Sequence, residues 1–399
     1  FKSRNPNHSM YLLILSLGFL FIPVVELIIT PPEEHSVEAF VKMSERQTHF
    51  VLDTWLVEQA WVNPSMVYHP EEDFKVVMVW RMPDKGRHDK IGYMWMDSRD
   101  WSITKNKDMI ELMNTEGRRW NLIGEDSRIF NHNGKLFIIY NNHLEKFKRV
   151  FYAEVFYKSE NDMFYAMEPP THLIFEGEKN MRHQKNWTPF DFCPKCIVER
   201  GSVIPKKSEG NTPELLFIYR IQPHIIVKAQ KTSIPGEESV TTVFVTKMQQ
   251  EFEWQWGGMR GGSPALLINE DQYLTFFHSS GRLTHKNVIS YVMGAYLFSS
   301  KPPFAITHVS PEPITHQAFV NESYGWAYKI VDFIVFPMGF TFDDKYIYVS
   351  YGKNDKNSWL VKLDKKGLLD SLISVQTTTL GVSVWDRDTG KILIDSYLQ

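Results

Sequence analysis

Cysteine is almost absent from this chain of 399 residues, which has two, in Cys193-Pro194-Lys195-Cys196. A structural zinc site takes four ligands, usually from two such pairs, and no second pair exists. No metal site is therefore expected. A thioredoxin-like redox role needs a βαβ setting, which is also missing. The pair reads as a local disulfide or as two idle thiols. Blocks of basic residues are lacking too, and the net charge is only -3, so nucleic acid is not an expected partner. Helical periodicity is sparse, with its best soluble patch near Asp108–Gly117. A parallel α/β fold needs helices between successive strands, and that absence excludes it. No organic cofactor is expected.

Aromatic residues, by contrast, are plentiful: 14% of the chain, with 12 Trp and 17 Tyr. They suit a β-rich protein, and sugar-binding pockets use aromatic faces as well. Charge is also missing from Met10 to Val25. With Glu26 tolerated, this apolar stretch reaches Thr30, about the 20 residues a spanning helix needs. Lys2 and Arg4 precede it, so the positive-inside rule places the N-terminus in the cytosol. The expectation is a single-pass type II signal anchor attached to the membrane, with the remainder lumenal or extracellular. A cleaved signal peptide, giving a secreted protein, is the alternative. The sequon Asn321-Glu322-Ser323 would then carry a glycan. The expected organisation is a cytosolic stub (1–9), the anchor (10–30), a stem (31–50), a catalytic domain (51–375) and a C-terminal extension (376–399).

Five apolar strands share one shape: VVMVWR (76–81), LFIIYN (136–141), LLFIYR (215–220), YLTFFH (273–278) and YIYVSYG (346–352). Each carries an aromatic near its end, at Trp80, Tyr140, Tyr219, Phe277 and Tyr351, spaced by 60, 79, 58 and 74 residues. A polar or tight leader precedes each strand. The leaders are Asn63-Pro64-Ser65, Gly124-Glu125-Asp126-Ser127-Arg128, Lys185-Asn186-Trp187-Thr188-Pro189, Arg260-Gly261-Gly262-Ser263-Pro264 and Pro337-Met338-Gly339. Turn signals such as His132-Asn133-Gly134 often separate leader from strand. The unit is leader, strand, turn, strand, which is half of a four-stranded propeller blade. The fold expected is all-β, a five-bladed β-propeller behind an N-terminal transmembrane helix. A two-sheet sandwich is the rival. The longest interval is stretched by residues 193–213, which read as a surface insertion.

In a propeller the leaders converge on one rim. They would bring together Asn63, Glu125, Asp126, Arg128, Lys185, Asn186 and Arg260, and the strand ends and turns add Arg81, Arg220, His224, His278 and Asp355. Asp126 is the candidate proton donor, since a carboxyl in a partly closed pocket can be tuned as a general acid. The cationic groups point to phosphate or a phosphate-bearing donor. Each residue also has a structural reading. An Asp beside a Glu caps turns, a strand-end Arg makes surface ion pairs, and His224 and His278 suit a hydrogen-bonded core.

These leaders resemble glycoside hydrolase family 130, the β-mannoside phosphorylases and β-1,2-mannosidases, with their mannosyltransferase relatives. The likeness runs from about Trp61 to Leu372. Gly124-Glu125-Asp126-Ser127-Arg128 resembles the family's Glu-Asp-Pro-Arg signature, with Ser127 in place of proline. Lys185-Asn186-Trp187 is similar to its Lys-Asn-Trp block, and Ile221-Gln222-Pro223-His224 to its Pro-His segment. Met293-Gly294-Ala295 with Pro302-Pro303-Phe304, and Pro337-Met338-Gly339 through Asp355, resemble later blocks. The resemblance implies an axial site in which Asp126 is the general acid, acting through the sugar's 3-hydroxyl while phosphate attacks the anomeric carbon. It implies that Asn63, Glu125, Arg128, Asn186 and Asp355 hold mannose. Arg81, Lys185, Arg220, His224, Arg260 and His278 would contact phosphate or donor. The expected partners are a mannose-containing glycan and phosphate or a sugar phosphate. A plain hydrolase and a non-catalytic glycan-binding propeller remain the alternatives.

Overall fold

The five similar strands are apolar along their whole length, a pattern that needs cover on both faces. In Lys75–Met82, Val76 through Trp80 are all buried. The computed structural model that shows how describes residues 37–84, 89–144, 147–175, 183–194, 196–204, 212–249, 252–282, 289–320, 331–381, 383–386 and 391–394.

Most of the described strands form five antiparallel runs, each four strands deep. Run one pairs Val62–Tyr68, Lys75–Met82, Lys90–Asp97 and Ile103–Met109 in order. Run two pairs Glu125–His132, Lys135–Leu144, Phe147–Lys158 and Met163–Met167. Run three pairs Thr188–Phe192, Glu214–Arg220, His224–Lys231 and Glu237–Met248. Run four begins with Gly258–Gly261 and Leu266–Leu267, both on Gln272–Arg282, followed by Ile289–Ser299 and Ile306–Val309. Run five pairs Val331–Phe342, Tyr346–Lys353 and Asn357–Asp364, and its fourth strand is Val51–Gln59 from the other end of the chain. Trp80, Tyr140, Tyr219, Phe277 and Tyr351 fall one to each second strand.

The first strands of the five runs meet one another. Ser65 Oγ accepts from Ile129 N at 3.1 Å, joining runs one and two. The Arg128 guanidinium donates to the Gly262 carbonyl, tying run two to run four. A Cβ on Gly261 would lie 2.1 Å from Asn186 O, and one on Gly339 would lie 2.4 Å from Met66 N. Runs three and four, and runs five and one, therefore approach so closely that only glycine fits. The middle of the molecule is where all five runs converge.

Several expectations need correction. The expected transmembrane helix and the type II membrane placement do not stand: among the described residues no helix is long and apolar enough to cross a membrane. Residues 10–30, on which that expectation rested, lie outside the described residues, as does the sequon at 321–323. The apolar stretch was read from its length and flanking charges, and these do not distinguish a span from other apolar segments. Part of the expected stem packs on the body instead. Val37–Arg46 is a helix whose Phe40 and Met43 are buried, with the Phe40 ring 5.1 Å from that of Trp256. Gln47 fixes it further, donating to Pro313 O at 2.8 Å and accepting from Thr315 N at 2.8 Å. The helical patch near Asp108–Gly117 is a strand, Glu111–Met113, flanked by the end of Ile103–Met109 and a turn. In the C-terminal extension, Thr377–Gly381 pairs with the outer strand of run three. Cys193 and Cys196 form a disulfide, next to the short hairpin of Ile197–Glu199 and Ser202–Ile204.

Candidate active site

Asn63, Asp126 and Asn186 occupy matching places at the starts of the first strands of runs one, two and three. All three have left-handed backbone, with φ of 56°, 51° and 63°. That conformation costs an L-residue about 1 kcal/mol, least for Asn and Asp. At Asn63 and Asp126 it coincides with a β-bulge, where the pairing skips from Val62 to Ser65 and from Glu125 to Arg128. A bulge re-aims side chains, and here it turns them toward the convergence of the runs.

The centre of the site is Asp126, which is buried. Its Oδ1 accepts from Asn63 Nδ2 at 2.8 Å and lies 3.9 Å from a terminal nitrogen of Arg81. Arg81 is itself held by Asp89, Nε to Oδ2 at 2.6 Å. Arg128 is 2% exposed and donates to four oxygens: Asp126 O at 2.9 Å, Gly261 O at 3.3 Å, Asn186 Oδ1 at 3.4 Å and the Gly262 carbonyl. It fixes the geometry of three runs at once. Glu125, beside Asp126, pairs with Lys148. Asp355 comes from the hairpin turn of run five, again with left-handed backbone, φ 48°.

Charge sets the protonation of this cluster. Burial pushes the Asp126 carboxyl up, but Arg81, Lys185, Arg128 and the Asn63 amide outweigh it and hold it below the ordinary carboxylate range. Asp355 moves the other way, raised by burial and by the neighbouring Asp126 charge. Lys185 is lowered by burial and by Lys148, although Asp126 and Glu125 favour its charged form. Arg128 falls to about 10 through burial. His278 falls to about 3 through burial and the Arg128 and Arg260 charges, so it is neutral at neutral pH. Its ring stacks on Tyr291, centroids 5.4 Å apart.

Eight of the expected residues thus share one charge cluster with Asp126: Asn63, Arg81, Glu125, Arg128, Lys185, Asn186, His278 and Asp355. Arg260 is exposed opposite His278 on the adjacent strand. Arg220 ends its strand, exposed, at the same end of run three. His224 sits elsewhere, in the aromatic packing between runs three and four, near Tyr296 and Phe298 and with Nδ1 3.0 Å from Phe304 O. Lys148 and Asp89 were not foreseen. Neither lies in a leader. Asp89 could have been found from hairpin register, since Arg81 pairs across from Ile91, but Lys148 enters from a third strand that carries no signature.

Residues 43–373 match the family described as β-1,4-mannooligosaccharide phosphorylase, glycoside hydrolase family 130. The chain belongs to that family. Family 130 is a family of five-bladed β-propellers, in keeping with the five runs, and the chain is a carbohydrate-active enzyme of the mannoside phosphorylase group. Among solved structures, a glycosyl hydrolase from Bacteroides ovatus is similar over 78% of this chain and 86% of its own, at 16% identity and a TM-score of 0.52. A family 130 glycoside hydrolase that targets β-1,2-mannosidic linkages in Candida mannan covers 78% and 86%, at 17% identity and a TM-score of 0.51. At these identities the likeness speaks to fold. The search of curated proteins found no match.

Proposed function

We propose that this enzyme cleaves a terminal β-mannoside with inorganic phosphate, releasing mannose 1-phosphate and a shortened glycan. The observation that carries the reading is the buried Asp126 carboxylate, bonded to Asn63 at 2.8 Å and faced by Arg81 at 3.9 Å, with Lys185 and Arg128 acting on the same charge. A glycan-binding protein has no need of a buried carboxylate among cations, whereas acid-assisted attack by an anion needs both.

In the reaction, a phosphate oxygen forms a bond to C1 of mannose while the C1–O bond to the leaving sugar breaks. The bonding electrons go to the leaving oxygen, which takes a proton. Asp126 supplies that proton, relayed through the sugar's 3-hydroxyl as in the family. A single displacement inverts C1, so a β-mannoside gives α-mannose 1-phosphate. Arg81 and Lys185, with Arg220 and Arg260 at the rim, hold phosphate; Asn63, Glu125, Arg128, Asn186 and Asp355 shape the mannose site. His278 packs neutral beneath the arginines, and His224 serves the core.

The resting enzyme holds Asp126 ionised, which is the wrong state for an acid. Two of its three cations, Arg81 and Lys185, are also groups that bind phosphate. Once the anion neutralises those two, burial is opposed only by Arg128 and the Asn63 amide, and the carboxyl rises toward taking up its proton. Phosphate binding and acid loading are in this way one event.

Hydrolysis is the competing reading, favoured by the nearness of Glu125 and Asp355, either of which could activate water. Incubation with β-1,4-mannobiose, with and without phosphate, separates the two. Phosphorolysis yields mannose 1-phosphate and stops without phosphate. Free mannose released at the same rate in both cases would sink it.

A further inference from the structure

The turn Ile221–Pro223 and the end of the outer strand of run three frame a cleft of about 470 Å³, lined by Gln222, Pro223, Met248, Gln249, Phe252 and Glu253, with Lys247 at its edge. That volume lies within the range of ligand sites, roughly 300–1,000 Å³. Strand direction places the cleft. Thr188 pairs with Ile218 and His224 with Thr246, so the turn and Met248 lie at the end of run three where Lys185 and Asn186 enter. The cleft therefore opens at the same end of the strands as Asp126, further out from the convergence of the runs.

Its lining is mixed in a particular way. Phe252, Pro223 and Met248 supply apolar surface. Gln222, Gln249 and Glu253 are exposed and offer amide donors, amide acceptors and a carboxylate. Lys247 and Glu253 cancel in charge, so the cleft does not select an anion as the inner site does. An aromatic ring with an apolar floor and polar groups of no net charge around it suits a pyranose, which has C–H faces and a rim of hydroxyls.

Resting on the phosphorylase reading above, we infer that this cleft binds the saccharide units beyond the two that flank the cleaved bond, and that Phe252, Gln249 and Glu253 determine preference for glycan length. The terminal mannose would sit over Asp126 and the rest of the chain would run outward between runs three and four.

The test is calorimetric titration of the intact protein, without phosphate, using β-1,4-mannobiose and β-1,4-mannotetraose. Wild type is expected to bind the tetraose about tenfold more tightly. Phe252→Ala should remove most of that gain while leaving mannobiose affinity within about twofold. Gln249→Trp changes an exposed residue and fills the cleft, so it should do the same even if Phe252→Ala fails to fold. Tetraose affinity unchanged in both variants overturns the inference, as does parallel loss for both sugars. Failure of wild type to bind either sugar overturns the phosphorylase reading and takes this inference with it. Normal mannobiose binding with no effect of the cleft variants overturns the inference alone.

Discussion

At the scale of the residue, the decisive balance is at Asp126, where three cations and one amide outweigh burial. The account makes this balance adjustable. In carboxyl-labelled protein, the Asp126 titration should lie below the ordinary value of about 3.9 and rise when phosphate is added. Arg81→Ala should raise it without phosphate. A carboxyl that titrates identically with and without phosphate would separate acid loading from anion binding and contradict the coupling. The left-handed residues at Asn63, Asp126 and Asn186 show why the site was readable from sequence. Asn and Asp accept that backbone at low cost, so one short polar residue recurs ahead of a strand in three runs. Lys148 was hidden because a lysine on a strand looks alike whether it faces solvent or Glu125.

At the scale of the element, tight contacts between runs transmit to the site. A Cβ on Gly352, in the second strand of run five, would lie 2.2 Å from Asn63 Oδ1. Gly352→Ala must therefore move Asn63, whose other side-chain atom holds Asp126. Overpacking of this kind costs about 1–3 kcal/mol of stability. Activity should fall by more than that loss explains, with kcat affected in protein that is still fully folded at the assay temperature. Wild-type kcat in a destabilised variant would show that Asn63 does not position Asp126. The second strands were legible because they are unbroken apolar runs, and the hairpin turns because Asn133 and Gly134 both adopt positive φ, 53° and 74°. Asp108–Gly117 was misread because its short strands alternate with turns, and over so few residues that spacing mimics a helical period.

At the scale of the whole molecule, the chain closes on itself. Val51–Gln59 supplies the last strand of run five, with Trp55 opposite Leu360. No local signal announces such a pairing, since its partner lies far away in sequence, as does the partner of Thr377–Gly381 on run three. Stability should also depend on acid in a set direction. Burial lowers His224 and His278 to about 3, whereas an unfolded histidine titrates near 6.5. Below about pH 6.5 the unfolded chain binds protons that the native protein refuses, so stability falls as pH drops toward 3. Each histidine contributes up to about 1.4 kcal/mol per pH unit. His224→Gln, remote from Asp126, should make the acid limb shallower in denaturant titrations across this window. An unchanged slope would mean that His224 is not held neutral.

The central claim is that Asp126 provides the proton for mannoside cleavage, and Asp126→Asn tests it most directly, because the amide keeps the shape and loses the titratable group. With β-1,4-mannobiose and saturating phosphate, kcat should fall by about 10²–10⁴-fold, while calorimetric affinity for mannobiose stays close to that of wild type. Near-full turnover in that variant would contradict the account and place the acid elsewhere.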